Sequence, residues 1–504
     1  MNATNGNVTV TLGCGAVRGR RRDGHLTFHG IPYAAAPVGE RRWRAPTAVE
    51  PWAGVRDATT PAAPAPQLAQ SFTEADSLDE DCLTLDVTVP ASATRKRPVL
   101  VWLHGGGGTN GSGAVYDAGR LAVTGEVVVV TPQFRLGVLS YFGHPGLADG
   151  ATFGLQDQQA ALRWVRREIA RFGGDPGNVT LAGSSHGALQ VAAHLTAPGS
   201  AGLFHRAVLQ SPFGMLGPTP AHTFIPGGPA LPPMWSPVAE VERLGAAVAE
   251  ERGWVRPGSD AEAALAQLRA VPVSELLTVS DAFIRPAFGG AVLPESPAVA
   301  ITSGRFSRVP VLLGTTRDEA RFFVALFADA VGRPVTAGDY PRMLGEAFGA
   351  AADEVAARYP LPADTTPSLA WARLCTDRAW AWPAWELGQA FAAHTPTWFY
   401  EFADRDAPAP VPVPGFPGGA QHGSELAYQF DLAGVPTPPT AQREWGECLN
   451  RYWAAFAESG DPARADLPPW PDLGTGHVQS LAPARIGGVD YVAEHHLDLW
   501  SRLA

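Results

Sequence analysis

The sequence is poor in cysteine, and that scarcity closes several routes at once. Four cysteines are spread over 504 residues, at Cys14, Cys82, Cys375 and Cys448, with no Cys-x-x-Cys pair. Neither a thiolate metal site nor a dense disulfide framework fits that spacing, whereas reduced, mostly buried thiols do. Long apolar runs are missing too. No stretch approaches the ~18 apolar residues that span a bilayer. The start, MNATNGNVTVTLGCG, lacks the basic and apolar regions of a secretory signal, so a cytoplasmic location is expected. Positive charge is in deficit: 38 Lys+Arg stand against 49 Asp+Glu, a net charge of -11. Nucleic acid and anionic membrane are therefore not expected partners. Internal repeats and long low-complexity tracts are absent as well.

What remains is a folding composition, 45% hydrophobic and 17% charged. Gly and Pro are frequent, at 55 and 47 residues, but they punctuate the chain and do not gather in one linker. Proline-rich loops occur near Pro61 to Pro66, Pro218 to Pro237 and Pro408 to Pro417, and periodic segments resume after each. Three short, largely β-branched runs read as buried parallel strands: Val99 to Leu103, Val127 to Thr131 and Val179 to Ala182. Between the second and third, Leu155 to Phe172 places Ala161, Trp164, Val165 and Ile169 at helical spacing. Strand, helix, strand predicts a right-handed βαβ unit in an open, mostly parallel sheet with both faces covered by helices. Val309 to Leu313 and Trp398 to Phe402 are expected to extend it. Helical segments are expected between about residues 238 and 270 and between 318 and 393.

The strongest local signal is Gly183-Ser184-Ser185-His186-Gly187, directly after an apolar strand and before the helical stretch Ala188 to Leu195. That context is what a nucleophile elbow demands: the turn strains the serine backbone, and glycine relieves the flanks. Alone, Gly-x-Ser-x-Gly is commonly a plain turn. A second signal, His104-Gly105-Gly106-Gly107-Gly108, follows the strand ending at Leu103. Unshielded amides there can face a developing oxyanion. A phosphate cradle is the competing reading, but no Gly-Lys-Ser/Thr follows.

A serine nucleophile needs a base, and the base needs an orienting carboxylate. With the order Ser, acid, His, the best base among the 13 histidines is His422, in the glycine-rich segment Gly418 to Gly423. The acid is Glu319 or its neighbour Asp318, after strand Val309 to Leu313. Residue chemistry alone does not separate them.

These segments together resemble the type-B carboxylesterase/lipase family, which includes bacterial p-nitrobenzyl esterases, animal carboxylesterases and cholinesterases. The resemblance runs through Phe28 to Ala34, Pro37-Val38-Gly39, Glu80-Asp81-Cys82-Leu83, the His104 glycine run and Phe134-Arg135-Leu136-Gly137. It continues through Gly154 to Gln158, Phe172 to Pro176, the elbow, Gly314 to Glu319, Ala420 to Gly423, Trp453 to Ala457 and Gly460-Asp461-Pro462. It implies an α/β-hydrolase fold as one catalytic domain over residues 1–504, with insertions at about 212–305 and 325–395 forming cap and gorge walls. It implies a triad of Ser185, Glu319 and His422, choosing the second acid of the Asp-Glu pair. It also implies oxyanion donors at the amides of Gly106, Gly107 and His186, and structural ion pairs Arg44–Glu80 and Arg135–Asp157. Phe72, Phe213, Phe322 and Phe323 are the expected pocket residues; the last two could equally be core residues of a helix. No metal or organic cofactor is called for, and a monomer or weak homo-oligomer is expected.

Departures narrow the expectation. The family elbow usually reads Gly-Glu-Ser-Ala-Gly, so Ser184 removes a carboxylate and His186 adds an imidazole. Pro212 stands where a glycine is usual, and Phe72 falls where cholinesterases carry a Trp. A choline ester is thus disfavoured, and small to medium, mostly apolar uncharged esters are the expected substrates. Two alternatives stay open: acyl transfer or cyclisation with the same triad, and a catalytically silent binding module.

Overall fold

Strand Arg97–Leu103 shows how the central sheet is built. Val99, Val101 and Leu103 enter one hydrophobic cluster and Leu100 and Trp102 another, so successive side chains feed cores on opposite faces. Only a sheet covered on both sides accepts such a run. The computed structural model describes residues 2–4, 6–70, 75–92, 96–483 and 485–503. Among them the sheet has 14 strands.

The amino-terminal strands are β1 (Asn2–Thr4), β2 (Asn7–Leu12), β3 (Gly15–Arg21), β4 (His25–Pro32), β5 (Val55–Asp57) and β6 (Thr84–Pro90). The central ones are β7 (Arg97–Leu103), β8 (Val128–Pro132), β9 (Gly174–Ser184) and β10 (Arg206–Gln210). Then come β11 (Val311–Thr316), β12 (Thr397–Phe402), β13 (Gln479–Ala482) and β14 (Arg485–Gly488). The spatial order is β1-β2-β3-β4-β6-β8-β7-β9-β10-β11-β12-β13-β14, with β5 beside β3. The run β8-β7-β9-β10-β11-β12-β13 is parallel throughout. Antiparallel strands finish both ends.

The expected strands are all present, most with longer or shifted bounds. Strand β11 starts at Val311, not Val309, because Pro310 has no N–H for the ladder. The helix expected over Leu155 to Phe172 is α1 (Phe153–Glu168), followed by a tighter 3₁₀ turn, Ile169–Phe172, that ends on Gly173 at φ 84°. The elbow helix is α2 (His186–Thr196). On the far face α3 (Thr440–Ser459) buries Leu449, Tyr452, Trp453 and Phe456 against Trp102, Val208, Leu312 and Tyr400. A third cluster joins Val241, Leu268, Leu276 and Phe283 to Val138, Leu139, Tyr141 and Phe142. It binds the helices Val238–Glu251 and Ala261–Ala270 to the turn after β8.

All four cysteines are free thiols. Among the described residues no helix is long and apolar enough to cross a membrane. No group of three or more His, Cys, Asp and Glu side chains there could hold a metal ion.

Candidate active site

The elbow is shaped by what glycine alone permits. Ser185 sits between β9 and α2 at φ 57°, ψ −123°, a strained region for a residue with a Cβ. Its N–H donates to the Gln210 carbonyl at 2.8 Å, tying the turn to β10. A Cβ at Gly187 would lie 2.1 Å from the Leu103 carbonyl oxygen, and one at Gly183 would lie 2.6 Å from Gly187. The strand, the turn and the glycine run therefore pack with no room for side chains. The Ser185 hydroxyl makes no hydrogen bond among the described residues and is half-buried at the carboxyl edge of the sheet. Such contacts often form only with substrate in place.

The acid and base follow β11 and β12, two and three strands along from β9. Glu319 follows β11 and is fully buried; His422 lies in the loop after β12. Glu319 Oε2 meets His422 Nδ1 at 2.6 Å, and Glu319 Oε1 accepts the Thr316 N–H at 2.8 Å. One carboxylate oxygen is thus anchored to backbone while the other orients the imidazole. Asp318 has different surroundings. Its carboxylate takes two 2.9 Å bonds from Arg405, a 3.2 Å ion pair with Arg321 and the Ala420 N–H at 3.1 Å. Asp318 secures the loop that carries His422; Glu319 touches His422.

The glycine run lies on the other side of the elbow. Gly106 and Gly107 have φ 112° and 65°, and a Cβ on Gly107 would meet nothing within 4 Å. The N–H groups of Gly106, Gly107 and His186 donate to no acceptor among the described residues. At His186 this follows from its place as the first residue of α2, where the helix dipole also favours negative charge.

Aromatic rings enclose His422. Trp380, Phe323 and Phe322 stand 4.6, 5.2 and 6.0 Å from its ring centroid. Phe213 and Phe224 pack on Trp380 at 4.8 and 5.7 Å. Phe322 and Phe323 are both buried and both beside the imidazole. Phe72 lies outside the described residues. Trp380 and Phe224 were not singled out by sequence; Trp380 sits in a π-helical turn, Thr376–Ala381, that has no simple sequence signature.

Glu425, three residues past His422, is another residue that motif reading passes over. It is fully buried, holds Gln210 Nε2 at 3.1 Å and leaves Oε2 unpaired. Burial, followed by the nearby Glu319 carboxylate, pushes Glu425 up to about 7. The same Gln210 side chain accepts from Trp453 Nε1 at 3.0 Å, linking α3 to the floor of the site.

One expected ion pair is present and the other is corrected. Arg135 and Asp157 form a buried bidentate pair at 2.7 and 2.8 Å, with the Arg135 N–H adding a third bond at 3.1 Å. Glu80 is bound by Arg42, at 2.6 and 2.7 Å, not by Arg44. Arg44 instead approaches Glu40 at 3.6 Å on the surface. The turn at residues 39–41 and the positive φ of Trp43 rotate Arg42 inward, where it also donates to the carbonyls of Arg269 and Val271.

Over residues 6–485 the chain matches the family model described as "Carboxylesterase family". The chain belongs to the carboxylesterase family. This carboxylesterase is 32% identical over 476 residues to a para-nitrobenzyl esterase of Bacillus subtilis (strain 168), covering 92% of each protein. It is 34% identical over 488 residues to a fumonisin B1 esterase of Sphingopyxis macrogoltabida, covering 91% of this chain and 83% of that one. A solved PNB esterase structure superposes with a TM-score of 0.77 at 29% identity, over 97% of this chain and 99% of the other. The fold is therefore the α/β-hydrolase fold, and the enzyme is a serine ester hydrolase. Acyl transfer, cyclisation and a silent binding role are not favoured.

Proposed function

We propose that this carboxylesterase cleaves small to medium, mostly apolar uncharged esters through an acyl-enzyme on Ser185. The reading rests chiefly on the 2.6 Å contact between Glu319 and His422, two and three strands along the sheet from an elbow serine strained at φ 57°. His422 takes the Ser185 proton as the oxygen attacks the ester carbonyl, and the amides of Gly106, Gly107 and His186 receive the oxyanion. His422 then protonates the departing alkoxide. Water, deprotonated by the same imidazole, attacks the acyl-enzyme and releases the acid. Glu319 holds the imidazolium that forms in both halves.

Apolar, uncharged substrates are supported by the enclosure of Phe213, Phe224, Phe322, Phe323 and Trp380 around His422. Ser184 beside the nucleophile offers no carboxylate to a cationic alcohol. The name of the Bacillus subtilis relative agrees, since a nitrobenzyl ester carries an uncharged aromatic alcohol. Segments 212–305 and 325–395 supply Phe213, Phe224 and Trp380, so they form the walls of this pocket. The test compares wild type with Ser185→Ala on short-chain p-nitrophenyl esters. Turnover should fall by at least about 10³-fold. Equal rates would remove Ser185 from the mechanism.

A further inference from the structure

Ester hydrolysis by the route above uses the backbone N–H of residue 186 and has no need of its side chain. The imidazole of His186 is nevertheless buried at a junction between the two walls of the proposed oxyanion hole. It turns back from the start of α2 onto the glycine run. A Cβ at Gly108 would lie 2.7 Å from its Cε1, 2.8 Å from Nε2 and 3.2 Å from Nδ1, so the ring fills the space a side chain at 108 would need. Gly108 holds φ 85°, and its carbonyl accepts the Gly137 N–H at 2.7 Å.

Gly137 opens the short helix Gly137–Tyr141, and that helix returns to His186. Tyr141 Oη lies 3.0 Å from His186 Nε2; Gln190 Nε2 lies 2.8 Å from the same nitrogen and 2.5 Å from Tyr141 Oη. A closed circuit results: glycine run, Gly137 helix, Tyr141, His186, glycine run. Burial drives the His186 pKa down to about 3, so the ring stays neutral. His186 Nδ1 and Gln190 Oε1 remain unpaired in this buried place. Leaving two polar atoms without partners is a stability cost that an apolar filler of the same space would avoid.

We infer that the His186 side chain is a positioning residue that braces the glycine run against the elbow, fixing the Gly106 and Gly107 amides relative to its own N–H. The inference rests on the oxyanion assignment made above. An oxyanion hole works through donors held in place before charge develops, so a loosened brace affects the transition state more than substrate binding.

The experiment measures kcat and KM on p-nitrophenyl butyrate, and inactivation by a p-nitrophenyl phosphonate, for His186→Ala, His186→Gln, Tyr141→Phe and the double variant His186→Ala/Tyr141→Phe. His186→Ala should lower kcat and the phosphonate rate about tenfold, below the 10²–10³ of a lost donor, with KM changed less than about twofold. His186→Gln, which can still reach the Tyr141 hydroxyl, should recover part of the loss. Tyr141→Phe should lower kcat in the same direction, and the double variant should be no slower than His186→Ala, since both cut one circuit. If His186→Ala does not fold, Tyr141→Phe, which removes one hydroxyl, carries the test. Wild-type kcat in the folded His186→Ala protein overturns the inference, as do independent, multiplying losses in the double variant. Ser185→Ala separates the two levels. Should it be inert while His186→Ala is fully active, only the brace fails; should it be active, the underlying mechanism fails.

Discussion

Asp318 and Glu319 are chemically near-identical neighbours with unlike fates. Asp318 is held by Arg405, Arg321 and the Ala420 N–H, whereas Glu319 reaches His422. Removing charge from each should therefore give unequal results. Glu319→Gln is expected to reduce kcat by about 10³–10⁴-fold, because the neutral amide no longer stabilises the imidazolium or enforces its tautomer. Asp318→Asn should cost less than about tenfold, with its main effect on thermal stability. Steady-state kinetics on one ester, paired with melting curves, decides; equal losses in kcat would refute the division of labour. At this scale the sequence was legible wherever a residue type is bound to a turn. Ser185, His422 and the glycine run could be named because elbow, loop and glycine φ demand them. Glu425 and Trp380 could not, since a buried carboxyl and a wall indole follow no spacing rule. Arg42 was missed for another reason. Arg42 and Arg44 differ only in which way a short turn points them, and the positive φ of Trp43 decides it.

Elements explain where periodicity succeeds. The parallel strands β7, β8, β9, β11 and β12 are buried on both faces, so their apolar runs stand out in the sequence. The antiparallel strands β2 and β3 alternate buried with more exposed positions, and their weaker pattern was not read. The two π-helical turns, Ala325–Asp329 and Thr376–Ala381, are equally invisible to a 3.6-residue rule. The junction of β7, β9 and α2 leaves no room for a side chain. Gly187→Ala would drive a methyl group to 2.1 Å from the Leu103 carbonyl oxygen and 2.9 Å from that of His104. Both obstacles are backbone, so α2 must move and Ser185 with it. A displacement of roughly 1 Å is expected to lower kcat/KM by about 10²-fold. Wild-type kcat/KM in the folded variant would show that the elbow tolerates the shift.

Across the whole molecule, one buried charge cluster fastens distant parts of the chain. His495 places Nδ1 2.5 Å from Asp377 Oδ1 and Nε2 2.7 Å from Glu401 Oε1. With both ring nitrogens donating, the imidazole is the cation between two carboxylates. Asp377 also accepts from Tyr359 at 2.8 Å, and Trp500 donates to the Tyr359 hydroxyl at 3.1 Å. Burial opposes the charge on His495, but Asp377 and then Glu401 outweigh it and raise its pKa from 6.5 to about 10. A raised folded-state pKa means that the native state binds the proton more tightly than the unfolded chain. The stabilisation is complete below about pH 6.5, declines as pH rises, and is gone above about pH 10. His495→Gln should thus lose a few kcal/mol at pH near 6 and progressively less toward pH 10. Urea midpoints for both proteins across that range test it, and a gap that stays constant with pH would contradict it.

The same cluster bears on when, during synthesis, the enzyme can become active. Asp377 belongs to the π-helical turn that carries Trp380 against His422, and Glu401 to the strand that leads into the His422 loop. Both carboxylates are buried, and the imidazole that bonds both is translated about a hundred residues later. Until then Glu401 has the 3.6 Å approach of Arg317, and Asp377 has the Tyr359 hydroxyl. A chain cut before His495 is therefore expected to melt at a lower temperature than the whole enzyme and to hold Trp380 and the His422 loop less firmly.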